Sequence, residues 1–369
     1  MPTFTIPKEH QALVLTAPKG PLEVQTLSTR LPVGREVLVK VEVIAMNHVD
    51  YIQLETGFHV EHYPTVLGTD VAGTIVATGS EVSQPEQIQP GTRVLAFATN
   101  FFAHSLAEFG AYQQYVIVKD WFITPIPDSL DFHTAATIPM GTWTGWAGFY
   151  TAGLTVPIAG NAAELPSDVK AANGSQAILV WGAGSSVGSS ALQQASSLGY
   201  KVYVTSKSDH HESLLKIGAT KAFDYRDEDV VQKIADAAIA DGVSLKLAYV
   251  AVKTSIPAID AIALANKGTD ANPGDLIVVS APLMEDADNM HAEEKGVTIK
   301  FVLTPDDDEE RAKFFYWVFR IWTAEKIKSG EFVATQKSSV IEGGLSAIPK
   351  TLSVLQKYEV SREKFEFEP

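Results

Sequence analysis

Residues 177–207 constrain the fold more than any other segment of this 369-residue chain. The segment begins with an apolar run, Ala177-Ile-Leu-Val-Trp181, and continues through a turn rich in glycine and serine as far as Gly188. A small-residue amphipathic stretch then leads to a second β-like run that ends at Lys207. This order predicts a buried strand, a tight turn that opens a helix, and a parallel second strand, as in the phosphate-binding half of a dinucleotide fold.

The turn is suited to a pyrophosphate because its small residues let backbone N–H groups approach an anion at a helix N-terminus. Gly182, Gly184 and Gly188 have the spacing GxGxxxG, which is one residue longer than the usual fingerprint. In the usual register, Ala183 and Ser185 stand at the first two glycine positions. The turn residues predicted to bind the cofactor are Gly184, Ser185, Ser186, Val187 and Gly188.

The end of the second predicted strand indicates which dinucleotide binds. A site for NAD usually has an acidic residue here for the ribose 2′-hydroxyl, whereas a 2′-phosphate requires a positive or hydroxyl-rich pocket. This chain has Thr205, Ser206 and Lys207 at that point, so the sequence predicts NADPH. Asp209 argues against NADPH because its carboxylate would repel the phosphate, but capping the helix predicted to start there is its alternative role.

Composition excludes several classes of protein. Hydrophobic residues make up 46% and charged residues 20% of the chain, as in an ordinary soluble globular protein. The net charge of −15 disfavours binding to nucleic acid and to anionic membranes. The absence of cysteine excludes disulfides, thiol nucleophiles and zinc sites built on cysteine. Because the chain lacks a long apolar run and a signal-peptide pattern, we expect a cytoplasmic protein. Its expected partner is a small-molecule substrate.

The order of predicted elements indicates two domains, as expected beyond the roughly 250–300 residues at which single cores split. Strands and helices alternate from residue 177 to residue 302, which predicts a doubly wound parallel sheet. Before that, β-like runs predict a β-rich domain, with 16–36 as a polar connection and 157–176 as an exposed loop. An aromatic helix, a strand, a helix and a last strand are then predicted to return to the first domain. The predicted domains are 1–145 with 306–369, and 146–305.

Several short motifs resemble the medium-chain dehydrogenase/reductase superfamily, in particular its zinc-independent fungal quinone-reductase-like and enoyl-reductase-like branch. They include Asn47-His-Val-Asp50, Leu67-Gly-Thr-Asp-Val-Ala-Gly73, Gly91-Thr-Arg-Val94, Ala135-Ala-Thr-Ile-Pro139 and Val360-Ser-Arg-Glu-Lys364. The resemblance implies an α/β protein with a GroES-like β-rich catalytic domain, a Rossmann domain, and an active site in the cleft between them.

The resemblance also implies a reaction without a metal. In zinc alcohol dehydrogenases a cysteine stands at the position of Asn47, and a His-Glu pair stands at Thr69-Asp70. Zinc catalysis requires three side-chain ligands and an open position, so this chain is similar to the zinc-independent members. The expected chemistry is therefore hydride transfer to an activated double bond, a quinone or an aldehyde.

Further cofactor contacts are implied by the resemblance. Related quinone reductases contact the 2′-phosphate with a lysine and a tyrosine, and the matching positions here are His210 and Tyr225. Thr144 matches a threonine that lies against the nicotinamide, although a hydroxyl bonded to its own helix backbone is an equal alternative. Ala281 follows the fifth strand of the predicted sheet, where ligands bind in such folds. Asn47 completes the predicted cofactor site.

The reaction also needs a group that polarises the substrate carbonyl and a source of one proton. Tyr51 is the first candidate and His48 the second, whereas Tyr63 and His104 are weaker candidates. Asn47 and Asp50 are expected to fix the loop. For each of these residues, packing or surface exposure is the alternative role.

Two departures from the family leave the proton source open. Some relatives protonate with a tyrosine near the position of Phe58, and many fungal relatives carry a lysine where this chain has Ile52, so water is also a candidate donor. Phe58, Phe101 and Trp143 are predicted to line an apolar substrate pocket, with core packing as the alternative.

The sequence therefore predicts an NADPH-dependent enzyme that reduces the C=C bond of an α,β-unsaturated carbonyl. Aldehyde or quinone reduction is the alternative enzymatic reading. A cofactor-binding or structural protein with little turnover, and a partner of a carrier protein, are two further alternatives. The oligomeric state is expected to be a monomer or a homodimer.

Overall fold

The computed structural model describes residues 4–158, 160, 162–269, 274–357 and 362–369. The strands in these ranges are β1 (Glu9–Leu15), β2 (Leu22–Ser28), β3 (Glu36–Ala45), β4 (Thr65–Val66), β5 (Asp70–Thr78), β6 (Arg93–Phe97), β7 (Tyr115–Lys119), β8 (Ile123–Pro125), β9 (Gln176–Trp181), β10 (Lys201–Ser206), β11 (Lys221–Asp224), β12 (Ser244–Val250), β13 (Ile277–Ser280), β14 (Thr298–Phe301), β15 (Lys337–Val340) and β16 (Glu363–Phe367).

The α-helices are α1 (His48–Thr56), α2 (Phe132–Ala136), α3 (Pro139–Thr151), α4 (Ser167–Asn173), α5 (Ser186–Ser197), α6 (His211–Lys216), α7 (Val230–Ala240), α8 (Ile256–Ala265), α9 (Asp286–Glu294), α10 (Asp308–Tyr316), α11 (Ala324–Ser329) and α12 (Ile348–Leu355). Short 3₁₀ turns span Asn100–Phe102, Ala107–Phe109, Asp120–Phe122, Ser208–His210 and Gly344–Ala347, and a π-helix spans Trp317–Thr323. Among the described residues, no helix is long and apolar enough to cross a membrane.

The chain divides into two compact units. The split unit contains Met1–Met140 and Phe319–Pro369, and the central unit contains Gly141–Val318. The predicted boundaries lie after residues 145 and 305. Helix α3 and the helical segment that follows Asp307 both continue through a unit boundary, so neither boundary carries a turn signal that the sequence would reveal.

The central unit is built on a six-stranded parallel sheet with the strand order β11-β10-β9-β12-β13-β14. This is the doubly wound order, in which the connections reverse direction between β9 and β12. Apolar side chains such as Leu179, Ile234, Ile259 and Val278 are fully buried in its core. The predicted α/β class and the predicted doubly wound parallel sheet are confirmed.

The split unit contains a mainly antiparallel sheet with the order β15-β16-β3-β5-β6-β8, in which β7 also pairs with β3. A smaller sheet has the order β2-β1-β4. Val39, Ile75, Val94 and Leu352 belong to one buried core. The last strand, β16, pairs with β3 and opposes Glu366 to Ala45. The predicted return of the C-terminal segment to the first domain is therefore confirmed.

Three predicted details are wrong. The connection 16–36 contains β2, which pairs with β1 although its side chains are largely exposed. The segment 157–176 contains α4, a short helix without buried residues, so it has no apolar face for the sequence to reveal. Asp209 does not cap a helix, since it lies inside a 3₁₀ turn and α6 begins at His211.

The aromatic helix was predicted as one element, and the structure divides it. Residues Trp317–Thr323 form π-helical turns between α10 and α11. The aromatic side chains of this segment are buried, namely Phe314, Phe315, Trp317, Phe319 and Trp322. Wider turns of this kind change which residues share a face, so a period of 3.6 describes the segment poorly.

Candidate functional site

The turn between β9 and α5 has the geometry of a pyrophosphate cradle. Gly182 has a φ of +90°, which favours glycine. A Cβ atom at Gly188 would overlap the carbonyl oxygen of Gly182, so only glycine permits this approach of helix to strand. The Ser185 side chain caps α5, since its Oγ accepts from the Gly188 N–H at 3.0 Å.

The same turn leaves donors for an anion. The N–H groups of Ser186 and Val187 belong to the first turn of α5, where a helix offers no acceptor of its own. The helix dipole also favours negative charge at this end. The residues present therefore fit a dinucleotide pyrophosphate.

Hydrogen bonds align the turn with the carboxyl edge of the sheet. The Gly182 N–H donates to Thr205 Oγ1 at 3.0 Å, which joins the turn to the end of β10. On the other side, the Ala281 N–H donates to the Val250 carbonyl at 2.9 Å. Ala281 thus lies at the carboxyl ends of β12 and β13, where ligands bind in open parallel sheets.

The predicted 2′-phosphate residues lie at the ends of β10 and β11. Ser206 is buried, and its hydroxyl donates to the Lys207 carbonyl at 3.0 Å. Lys207 is exposed, and the His210 N–H donates to the Lys207 carbonyl at 3.0 Å in the 3₁₀ turn. Tyr225 is 43% exposed and directly follows β11. Since Ser206 pairs with Asp224 across the two strands, Lys207 and Tyr225 leave the sheet side by side.

This edge also carries an ion pair that was not predicted. Arg226 contacts the Asp224 carboxylate through Nη2 at 2.5 Å and Nε at 2.9 Å. Asp224 also accepts from the Ser208 N–H at 3.0 Å, and Arg226 Nη2 lies 3.4 Å from Ser208 Oγ. Hydrogen bonds from Arg226 hold the pKa of Asp224 well below its usual value. A spacing of two residues does not by itself predict an ion pair between Asp224 and Arg226. Ser208 reaches this ion pair only because β10 pairs with β11.

The start of α3 packs closely within the central unit. Thr144 is buried, and its carbonyl accepts from the Tyr249 hydroxyl at 2.8 Å. A Cβ atom at Gly145 would overlap the Gln194 side chain. Trp143 lies edge-on to Phe315 with 5.8 Å between ring centres, so it belongs to the aromatic packing of this unit. The nicotinamide contact of Thr144 stays a prediction.

In the split unit, α1 begins with a buried polar cluster. Asn47 Nδ2 donates to Thr69 Oγ1 at 2.9 Å, and its backbone N–H donates to Asp50 Oδ2 at 2.8 Å. The Tyr112 hydroxyl donates to the same oxygen at 2.8 Å. Asp50 is fully buried, and this burial raises its pKa to about 7 despite both hydrogen bonds. These contacts support the predicted role of Asp50 in fixing the loop.

A second polar contact lies beside this cluster and was not predicted. Lys364 Nζ lies 2.7 Å from Asp70 Oδ2, with both side chains almost completely buried. Asp70 also accepts from the Met140 N–H at 3.0 and 3.1 Å, and Lys364 donates to the Thr137 carbonyl at 3.3 Å. In the sequence, Lys364 stands out only as the last residue of the family motif that begins at Val360. Residues 360 and 361 of this motif lie outside the described residues.

At the positions of the zinc ligands in the resembled alcohol dehydrogenases, this chain has side chains that are engaged in hydrogen bonds within the protein. Asn47 bonds to Thr69, and Asp70 bonds to Lys364. Within the described ranges, no group of three His, Asp or Glu residues is arranged to hold a metal ion. Zinc independence stays a prediction.

The predicted polarising residues differ in their surroundings. His48 is partly exposed, yet desolvation lowers its pKa, and the Lys364 ammonium lowers that pKa further. The imidazole is therefore neutral at neutral pH. Tyr51 and Tyr63 are half-buried against the core of the split unit. His104 is exposed and contacts Glu61 at 2.9 Å.

Two of the three predicted pocket residues lie in one aromatic cluster. Phe58 packs edge-on against His59 with 4.4 Å between ring centres, and His59 lies 6.2 Å from the Phe101 ring. His59 was not predicted, and its backbone φ of +52° is unusual for a residue other than glycine. Trp143 belongs to the central unit and contacts other rings.

Sequence comparisons show which known proteins this chain is similar to. The profile of the alcohol dehydrogenase GroES-like domain matches residues 34–128. The trans-enoyl reductase tndF of Aspergillus flavipes is 34% identical over 351 residues, which cover 95% of this chain and 96% of that protein. The trans-enoyl reductase tazE of Aspergillus terreus is 40% identical over 254 residues, which cover 68% of this chain and 80% of that protein.

A solved structure shows the same fold. An alcohol dehydrogenase superfamily protein from Novosphingobium aromaticivorans superposes with a TM-score of 0.72 at 22% identity, covering 98% of this chain and 99% of that chain. The predicted GroES-like and Rossmann parts are therefore confirmed, and a nicotinamide dinucleotide is the cofactor that this fold binds. The chain belongs to the medium-chain dehydrogenase/reductase superfamily, in the branch that contains the fungal trans-enoyl reductases.

Proposed function

We propose that this protein is an NADPH-dependent reductase of the C=C bond in α,β-unsaturated carbonyl compounds. The observation that carries the cofactor choice is the edge formed by β10 and β11, where exposed Lys207 follows buried Ser206. The reaction type rests on the relatives, two of which are named trans-enoyl reductases.

The chain's own residues have separate tasks in this proposal. The N–H groups of Ser186 and Val187 bind the pyrophosphate, and Lys207 binds the 2′-phosphate. NADPH, when bound, supplies the hydride that adds to the β-carbon of the substrate. The resulting enolate takes one proton at the α-carbon, so one hydride and one proton saturate the double bond.

Stabilising the enolate oxygen requires a hydrogen-bond donor. His48 is neutral at neutral pH and is partly exposed, so it is one candidate for that task. Tyr51 remains the other candidate, although its ring packs against the core of the split unit. The variants His48→Phe and Tyr51→Phe separate the two, because each removes the hydrogen-bond donor of its side chain. The donor's variant lowers kcat/KM by about 100-fold or more, the usual effect of losing an oxyanion contact.

Turnover with three substrate classes tests the reaction type. NADPH consumption is followed with an enone or enoyl thioester, an aldehyde and a quinone, and the products are identified by mass spectrometry. Reduction of the enone with NADPH deuterated at C4, giving a product labelled at the β-carbon, supports the proposal. Reduction of the aldehyde or quinone alone favours the alternative enzyme. Tight NADPH binding without turnover of any of these would favour a non-catalytic protein.

A further inference from the structure

We propose that Arg226 is a second cation of the 2′-phosphate subsite and that Asp224 is its positioning residue. The inference rests on the proposed use of NADPH and adds a residue to it. No feature of the sequence singled out Arg226, because its place depends on the pairing of two strands.

Strand pairing brings Arg226 to the predicted subsite. Ser206 opposes Asp224 in the parallel pair of β10 and β11, so the residues after each strand emerge at the same edge. Lys207 and Ser208 follow the first strand, and Arg226 follows the second. The distance of 3.4 Å between Arg226 Nη2 and Ser208 Oγ shows that the guanidinium reaches the loop that starts at Lys207.

Asp224 fixes the orientation of both segments. Its carboxylate accepts from the side chain of Arg226 at 2.5 and 2.9 Å and from the backbone N–H of Arg226 at 3.0 Å. It also accepts from the Ser208 N–H at 3.0 Å. An exposed ion pair of this kind adds little to stability. A guanidinium already held in place, however, loses less side-chain entropy when it binds a phosphate.

The local charges favour a second cation beside Lys207. Lys207 and Arg226 carry positive charge at this edge, whereas Asp209 and Asp224 carry negative charge. Asp209 lies within electrostatic reach, since it contributes with Asp224 to raising the pKa of Arg226. Without Arg226 the two carboxylates outnumber Lys207 and repel a 2′-phosphate. Arg226 therefore offsets the negative charge of Asp209, which by itself would disfavour NADPH.

Calorimetric titration with 2′,5′-ADP and with 5′-AMP tests the subsite without any turnover. These probes differ only by the 2′-phosphate. We expect Arg226→Gln to weaken 2′,5′-ADP binding about tenfold, as for a lost charge-assisted contact, and to leave 5′-AMP binding unchanged. Lys233→Gln is the matched control, because Lys233 is an exposed cation of the same unit paired with Asp227 and Asp229. Unchanged 2′,5′-ADP binding in Arg226→Gln would overturn the inference.

Asp224→Asn distinguishes positioning from net charge. If only net charge matters, removal of a carboxylate strengthens 2′,5′-ADP binding. If Asp224 orients Arg226, binding weakens several-fold although a negative charge is lost. Thermal unfolding of each variant verifies that it folds. Wild-type protein that binds both probes equally would overturn the proposed use of NADPH itself, whereas a wild-type preference that Arg226→Gln retains overturns only the role of Arg226.

Discussion

The ammonium of Lys364 lies 2.7 Å from the carboxylate of Asp70, although 294 positions separate the two residues in the chain. Both are almost completely buried in the split unit. Asp70 also accepts from the Met140 N–H at the start of α3. This pair therefore joins the last strand, a central strand and the first turn of a helix at one point.

Removing one partner of this pair leaves the other charge buried and unpaired. We expect Lys364→Met to lower the free energy of unfolding by about 3–5 kcal/mol. The double variant Asp70→Asn with Lys364→Met removes both charges and should lose less than the single variant. Urea unfolding of the four proteins in this cycle measures the difference. A double variant less stable than Lys364→Met would contradict the account.

Asp50 makes stability depend on pH in an unusual direction. Its pKa rises from 3.8 to about 7 on folding, chiefly because the carboxyl is buried. A carboxyl group whose pKa is raised by folding contributes stability that is fully present below its pKa in the unfolded chain. This contribution is lost as the pH rises through its pKa in the folded protein. Between these two pKa values, the free energy of unfolding falls by on the order of 4 kcal/mol.

The variant Asp50→Asn should abolish this part of the pH dependence. Its amide oxygen still accepts from Tyr112 and from the Asn47 N–H, so the comparison isolates the ionisation. Urea unfolding between about pH 4 and pH 8 measures the slope in each protein. Parallel slopes in wild type and variant would show that Asp50 does not titrate in this range.

Gly188 is expected to tolerate no side chain. A Cβ atom there would overlap the carbonyl oxygen of Gly182 and crowd Ala183. Gly188→Ala should therefore cost about 1–3 kcal/mol of stability and weaken dinucleotide binding, because the helix must move away from the strand. Ser197→Ala, at the other end of α5, is the control. Wild-type stability and affinity in Gly188→Ala would contradict the close approach.

The sequence predicts those parts of the fold that depend on local pattern. The strands of the central sheet are short apolar runs between turn residues, so their positions and parallel arrangement could be derived. Strand β2 was missed because none of its seven residues is buried: four are exposed and three are half-buried. Helix α4 was missed because it buries nothing.

The candidate site could be predicted only where its residues are close in sequence. The turn from Gly182 to Gly188 is one such segment. The Lys364–Asp70 pair depends on β16 joining the sheet of β3 and β5, and Arg226 reaches Ser208 only through the pairing of β10 with β11. The pKa of Asp50 depends on complete burial, which no pattern within α1 reveals, because that helix is only weakly amphipathic.

Fluorescence titration of wild type and Lys207→Ala with NADPH and NADH tests the central claim most directly. We predict that wild type binds NADPH more tightly than NADH. The variant should lose about tenfold or more of its NADPH affinity and none of its NADH affinity, since only NADPH carries the 2′-phosphate. Equal affinity of wild type for the two cofactors, or a preference for NADH, would contradict the account.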